Sequence, residues 1–227
     1  MRLSGFRLGI YVYRDAEILD YAAPYGVLSV ARRYDPEIDI CAIGDTLQAV
    51  STASGLTVLP AYGLGDSPAI DALLVPGGPG ALQQMRNRRL HRYIEALAPQ
   101  CLLACTGSGA WVYACMGLLD GQAATSRKEP DRTEASHLGC TPLDRLSMLA
   151  PTCRTHRSRL VDSGRIISAA GPLAGADLGL HLLRRAGYSD AVLDEIARVL
   201  DYRRAYDLYR ADVEYATAAA SLPSHPH

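Results

Sequence analysis

Lysine is almost absent from this chain: Lys128 is the only one among 23 basic residues, and the net charge is −1. Because arginine is mixed with acidic residues throughout, no charged stretch indicates binding to nucleic acid or to an anionic membrane. Apolar runs as long as a signal-peptide core or a membrane span are also missing, which predicts a cytoplasmic protein. None of the six cysteines forms a C-x-x-C pair, so zinc spacing is absent and reduced thiols are expected.

Motifs that identify several large enzyme classes are missing as well. The chain contains no P-loop, no H-E-x-x-H zinc motif and no G-x-S-x-G serine elbow. A G-x-G-x-x-G dinucleotide fingerprint after the first predicted strand is also lacking. The sequence therefore predicts neither a metal nor an organic cofactor, and the expected partner is a small-molecule substrate.

One α/β domain is predicted over residues 1–215, because 227 residues with 48% hydrophobic content can bury one sizeable core. Apolar, β-rich runs alternate with stretches of helical spacing, which indicates a parallel sheet covered by helices on both faces. Residues 216–227, rich in Ala, Ser and Pro, are predicted to be disordered. The predicted strands are 6–13, 38–43, 69–75, 101–104, 159–161 and 165–168, with a hairpin-like excursion over 48–59. The predicted helices are 20–33, 82–97, 107–119, 175–186 and 191–202.

Three loops are expected at the carboxyl ends of the strands, where ligand sites lie in sheets of this kind. Residues 76–80, Pro-Gly-Gly-Pro-Gly, follow a buried strand. Residues 104–109, Ala-Cys-Thr-Gly-Ser-Gly, lie between a strand and a helix, and residues 168–172, Ser-Ala-Ala-Gly-Pro, lead into a further helix. The chemistry of the protein is expected to lie among these loops.

Cys105 is the candidate reactive group, because it is predicted to lie at a strand-to-helix elbow that exposes a side chain at the edge of the sheet. The N-terminus of the following helix would stabilise a thiolate, and the pKa of a cysteine in such a place falls from about 8.5 into the range of roughly 3.5 to 7.5. The alternative is a buried, inert cysteine, which is the usual fate of a free thiol and the expected one for the other five.

With these motifs in place, the chain resembles the ThiJ/PfpI superfamily, the stand-alone relatives of type-I glutamine amidotransferase domains, and within it the isonitrile hydratase branch. The resemblance covers roughly residues 6–202. It depends on five motifs in family order: Ile-Leu-Asp-Tyr-Ala-Ala-Pro (18–24), Leu-Leu-Val-Pro-Gly-Gly (73–78), Ala-Cys-Thr-Gly-Ser (104–108), Gly-Leu-Leu-Asp-Gly with Ala-Thr (117–125), and Ala-Gly-Ala-Asp (174–177). It implies a flavodoxin-like fold, a homodimer and a hydro-lyase type of activity.

The resemblance also implies roles for individual residues. Cys105 matches the nucleophile of the family, and Asp20 matches the acid that hydrogen-bonds the thiol and donates a proton to its adduct. A helix N-cap is the alternative role for Asp20. The backbone N–H groups of Gly78 and Thr106 would stabilise a developing negative charge. The expected substrate-binding residues are Gly77, Gly78, Thr106, Ser126, Arg127, Gly171 and Pro172.

Two departures from the family leave the reaction open. Many members have a histidine where this chain has residues 125–131, Thr-Ser-Arg-Lys-Glu-Pro-Asp, and His137 lies well downstream. Pro172 replaces an aliphatic residue of isonitrile hydratases. Three hypotheses follow: hydration of an isonitrile to an N-substituted formamide through a Cys105 adduct; acid–base chemistry by a Cys/Asp pair in a tautomerase, cyclase or dehydratase; and a non-enzymatic cysteine redox sensor or chaperone.

Overall fold

The structure, a computed structural model, describes residues 5–130, 139–211 and 213–215. The described strands are β1 Phe6–Tyr11, β2 Ile38–Gly44, β3 Val50–Ser51, β4 Thr57–Val58, β5 Tyr62–Gly63, β6 Ala72–Val75, β7 Leu102–Thr106, β8 Ala123–Ala124, β9 Arg154–Thr155, β10 Leu160–Asp162, β11 Ile166–Ala169 and β12 Val213–Tyr215. The described helices are α1 Ile18–Ala31, α2 Ala81–Gln84, α3 Arg88–Leu97, α4 Ala110–Cys115, α5 Pro142–Leu149, α6 Ala174–Arg185, α7 Asp190–Val199 and α8 Arg203–Ala211.

Eight of these strands form one sheet in the order β12-β10-β11-β7-β6-β1-β2-β5. Every described pair in it is parallel except β10 with β11, which are joined by a tight turn. Short connections of this kind pair strands in opposite directions, whereas parallel neighbours need a crossover. The predicted flavodoxin-like α/β fold is confirmed, and so is the hairpin-like excursion, which is the β3–β4 pair. The single domain over residues 1–215 stays a prediction.

The centre of the sheet is apolar because helices cover it. All four residues of β6 are buried, and so are all four of β11, as expected for strands whose two faces are both covered. Helix α1 packs on α6 and α7, while α4 packs on α2 and α5. Helix α1 carries Asp20, and α4 covers the sheet face on which the thiol of Cys105 is buried. Both groups of helices therefore help to form the site.

Several predicted boundaries differ from the structure. The predicted helix over 82–97 is two helices, because Asn87 accepts hydrogen bonds from the N–H groups of Arg89 and Leu90 and so begins α3 afresh. The predicted strand over 101–104 continues to Thr106, and the helix predicted from residue 107 begins at Ala110 after a 3₁₀ turn. Strand β12 was not predicted, and the predicted disordered tail lies outside the described residues.

Among the residues that the structure describes, no helix has both the length and the apolar character needed to cross a membrane.

Candidate active site

Asp20 lies in the first turn of α1 and is only 2% exposed. Its Oδ2 atom accepts a hydrogen bond from the N–H of Gly77 at 2.7 Å, and its backbone carbonyl accepts one from Oγ1 of Thr106 at 3.1 Å. The alternative role as a helix N-cap is wrong, because Glu17 occupies that position and Asp20 is already inside the helix. The carboxyl group is therefore bound by the loop that follows β6, and the backbone of Asp20 is bound by the end of β7.

The loop at residues 76–80 is fixed against the segment that leads into α1. The N–H of Glu17 donates to the carbonyl of Gly77 at 2.8 Å, and the hydroxyl of Tyr13 donates to the carbonyl of Pro76 at 2.7 Å. The N–H of Gly78, which we expected to face a developing negative charge, donates instead to Oγ of Ser108 at 3.0 Å. Its role as an oxyanion donor is therefore not supported by this geometry.

Cys105 is not at the elbow, so its predicted position is wrong. It lies inside β7, in register with Val75 of β6 and Ser168 of β11, and its side chain is fully buried. The backbone turns two residues later, at Gly107, where φ is +51°. Only glycine adopts such a φ without cost, and this places the elbow at Gly107.

The thiol of Cys105 also faces away from α1. Consecutive residues of a strand point to opposite faces, and the next side chain, Thr106, reaches the backbone of α1. On the other face, Tyr113 of α4 donates its hydroxyl to the carbonyl of Ala104 at 3.1 Å, and burial, and then the neighbouring Cys105, raise the pKa of that hydroxyl. Burial, and then the charge of the Asp20 carboxylate, raise the pKa of the Cys105 thiol. The expected lowering by a helix N-terminus is thus contradicted.

Gly107 occupies the position next to Asp20 at which the sequence predicts the thiol of Cys105. A Cβ atom built on Gly107 would stand 3.0 Å from Oδ2 of Asp20, and its next nearest atoms, Cγ of Asp20 and Cα of Gly77, are 3.9 Å away. The sequence contains a signal that could have located the elbow. The second residue after Cys105 is a glycine, and glycine is the residue that most readily adopts a turn with positive φ. The elbow therefore presents backbone, with the carboxyl group of Asp20 beside it.

The other predicted site residues divide into two groups. Ser126 is brought to the elbow, because its Oγ donates to the carbonyl of Gly107 at 2.8 Å. Thr106 is also there, and like Ser126 it is fully buried, whereas Arg127, which follows Ser126, is half-buried. Gly171 and Pro172 are half-buried in the turn before α6, where the carbonyls of both residues accept hydrogen bonds from the N–H groups of the first turn of that helix. His137 lies outside the described residues.

Within the described ranges, no three His, Cys, Asp or Glu side chains are grouped closely enough to hold a metal ion. The polar groups of the elbow are one carboxyl group, two serine hydroxyls and backbone amides. Such a set can bind a small polar molecule and move a proton, and Gly107 itself supplies no nucleophilic side chain at the elbow.

The fold is shared with several solved structures. A ThiJ/PfpI family protein from Pseudomonas syringae superposes with a TM-score of 0.74 at 19% identity, covering 93% of this chain and 88% of that one. A cysteine-to-alanine mutant of a DJ-1 superfamily protein from Salmonella typhimurium gives 0.71 at 21% identity, covering 87% and 98%. Drosophila melanogaster DJ-1beta gives 0.69 at 18% identity, covering 86% and 97%.

In sequence, the chain is 27% identical over 179 residues to an isonitrile hydratase from Pseudomonas putida, covering 78% of this chain and 70% of that protein. The model of the DJ-1/PfpI family matches residues 7–185, which include Asp20, the elbow and the whole of α6. The chain therefore belongs to the DJ-1/PfpI family.

Proposed function

We propose that this protein is a small-molecule enzyme of the hydro-lyase type in which Asp20 transfers protons and no sulfur adduct forms. One observation carries the proposal: the buried carboxyl group of Asp20 faces an elbow whose residue is Gly107, while the thiol of Cys105 is in the sheet on the opposite side. A proton donor alone can accelerate a reaction by roughly 10²–10⁴. The covalent role of Cys105 is the weaker hypothesis on this geometry.

Hydration of an isonitrile is the reaction that we put first, because a relative carries that name. The carboxyl group of Asp20 would protonate the terminal carbon of R–N≡C, which gives a nitrilium ion. Water then adds to that carbon, and a proton of the water returns to the carboxylate. The resulting R–N=CH–OH tautomerises to the formamide R–NH–CHO. Each step is a proton transfer or an addition of water, and neither needs a thiol.

Two other hypotheses use the same residues differently. A tautomerase or dehydratase also needs only a well-placed acid–base group, so it shares the support that Asp20 supplies. A redox sensor needs an accessible thiolate at Cys105, and the burial and raised pKa of that thiol favour the inert form. We therefore place the sensor behind both enzymatic hypotheses. The homodimer is proposed from the family, and light scattering on the purified chain tests it.

Asp20→Asn tests the proposal directly, in an assay that follows formamide production from an aryl isonitrile. We expect turnover to fall by roughly 10²–10⁴, since asparagine keeps the shape but cannot deliver a proton. Asp162→Asn is the matched control, because Asp162 is also buried but lies at the far end of β10, away from the elbow. That variant should lose stability and keep its turnover per folded molecule. Wild-type turnover in Asp20→Asn would remove Asp20 from the mechanism.

A further inference from the structure

A cavity of about 270 Å³ lies at the amino-terminal ends of β7 and β11. This is the opposite end of the sheet from Asp20, whose backbone is bound by the last residue of β7. Ligand pockets commonly measure 300–1,000 Å³, so the cavity suits a small molecule. Four apolar side chains line it: Ala98, Leu103, Leu118 and Ile166.

The rest of the lining is polar and carries one cation. It consists of Gln122, Ser163 and Arg165, and none of the described residues that line the cavity is acidic. The hydroxyl of Ser163 already donates to the carbonyl of Ala123. Within the part of the chain that the structure describes, the guanidinium of Arg165 and the side-chain amide of Gln122 make no hydrogen bond or ion pair. Two donor groups are therefore left for a ligand.

The charge of Arg165 is not compensated by Asp162, the acid that precedes it by three residues. Both carboxylate oxygens of Asp162 accept hydrogen bonds from Nη1 of Arg185 at 2.8 Å, and Nε2 of His181 lies 2.7 Å from Oδ2. The carboxylate of Asp162 is thus already paired with another guanidinium. Arg165 is left with a positive charge at the mouth of an apolar cavity.

The backbone that carries these two donors is fixed in advance. The carbonyl of Arg165 accepts a hydrogen bond from the N–H of Leu103 at 2.9 Å, and the carbonyl of Gln122 accepts one from the N–H of Arg154 at 2.8 Å. Binding would therefore order only the two side chains. A site that is largely formed before the ligand arrives loses less entropy on binding.

We propose that this cavity binds a small organic carboxylate whose charge pairs with Arg165 and whose hydrocarbon body packs on Leu103, Leu118 and Ile166. A guanidinium matches the two oxygens of a carboxylate, and the amide of Gln122 supplies a further donor. Phosphate fits less well, because it has no apolar part and its second charge would meet no second cation. This inference goes beyond the proposed function and does not depend on it, since the cavity lies at the other end of the sheet.

The first test is calorimetric titration of the full chain with three probes. Benzoate has the charge and an apolar ring, benzamide keeps the ring without the charge, and acetate keeps the charge without the ring. We expect saturable binding of benzoate, with benzamide and acetate weaker by at least about tenfold each, because each lacks one of the two contacts. Benzamide or acetate binding as tightly as benzoate would overturn the inference, and so would no saturable binding at millimolar benzoate.

The second test locates the site with variants. Arg165→Gln removes the charge at an exposed residue, and we expect it to weaken benzoate binding by at least about tenfold. Arg33→Gln is the matched control, because Arg33 is also exposed but does not line the cavity. Ala98→Phe fills the cavity and should abolish binding while Arg165 stays in place. Melting temperatures without benzoate show that each variant folds, and benzoate should raise that of the control as it does that of wild type. Unchanged affinity in Arg165→Gln, or binding retained in Ala98→Phe, would overturn the inference.

Discussion

Replacing Cys105 separates a structural thiol from a catalytic one. Its side chain is fully buried in β7 between Val75 and Ser168, so we expect both substitutions at this residue to reduce stability. Cys105→Ala removes one buried heavy atom and leaves a small cavity, at a cost of about 1–2 kcal/mol in the free energy of unfolding. Cys105→Ser buries a hydroxyl in the same place, and an unsatisfied hydroxyl costs about 1–3 kcal/mol.

These free energies are large enough to measure. For a chain of this length, each 1 kcal/mol lowers the melting temperature by roughly 2–4 °C, so each variant should melt several degrees below wild type. Urea unfolding followed by circular dichroism measures the same difference at 25 °C. Cys115→Ser is the matched control, because Cys115 is an exposed free cysteine and a surface change of this kind stays within about 0.5 kcal/mol.

The same variants should retain isonitrile turnover per folded molecule, and in the wild-type chain iodoacetamide should label Cys115 before Cys105. Both expectations follow from the burial and the raised pKa of the Cys105 thiol. A Cys105→Ala variant that is as stable as wild type but inactive would refute this reasoning. So would preferential labelling of Cys105, and either result would restore the covalent mechanism.

Two further predictions concern the scaffold. Burial raises the pKa of Asp162, but hydrogen bonds from His181 and Arg185 outweigh it and lower that pKa below its usual 3.8. Asp162→Asn should therefore cost about 1.5–3 kcal/mol at neutral pH, and the difference from wild type should shrink as the pH falls below 3.8, since protonation then removes the same stabilisation. Urea unfolding from pH 7 to pH 3 measures this difference in the free energy of unfolding, and Asp201→Asn, at an exposed residue, is the control. A difference that does not change with pH would contradict the prediction. Asn87→Ala should cost about 1 kcal/mol, because its side chain caps α3, and an unchanged melting temperature would remove that role.

Local patterns in the sequence were enough to predict the fold class and the approximate place of the site. The apolar run over 69–75 and the Pro-Gly loop after it predict a buried parallel strand with a sharp turn, which is β6 and the loop that holds Asp20. The alternation of such strands with helical stretches predicts the doubly covered sheet. Both inferences depend on burial patterns and turn residues, which act over a few neighbouring positions and are readable in one chain.

Tertiary structure alone decided which residue stands at the elbow. Strand β7 extends to Thr106 because β11 continues the ladder of hydrogen bonds that far, where Thr106 pairs with Ala169, whereas the pairing with β6 ends at Cys105. The length of β7 therefore depends on β6, which lies more than 20 residues earlier in the chain, and on β11, which lies about 60 residues later. Because side chains alternate along a strand, where the ladder ends determines which face each residue occupies. The end of the ladder at Thr106 buries Cys105 on the sheet face that α4 covers, and it places the backbone of Gly107 beside the carboxyl group of Asp20.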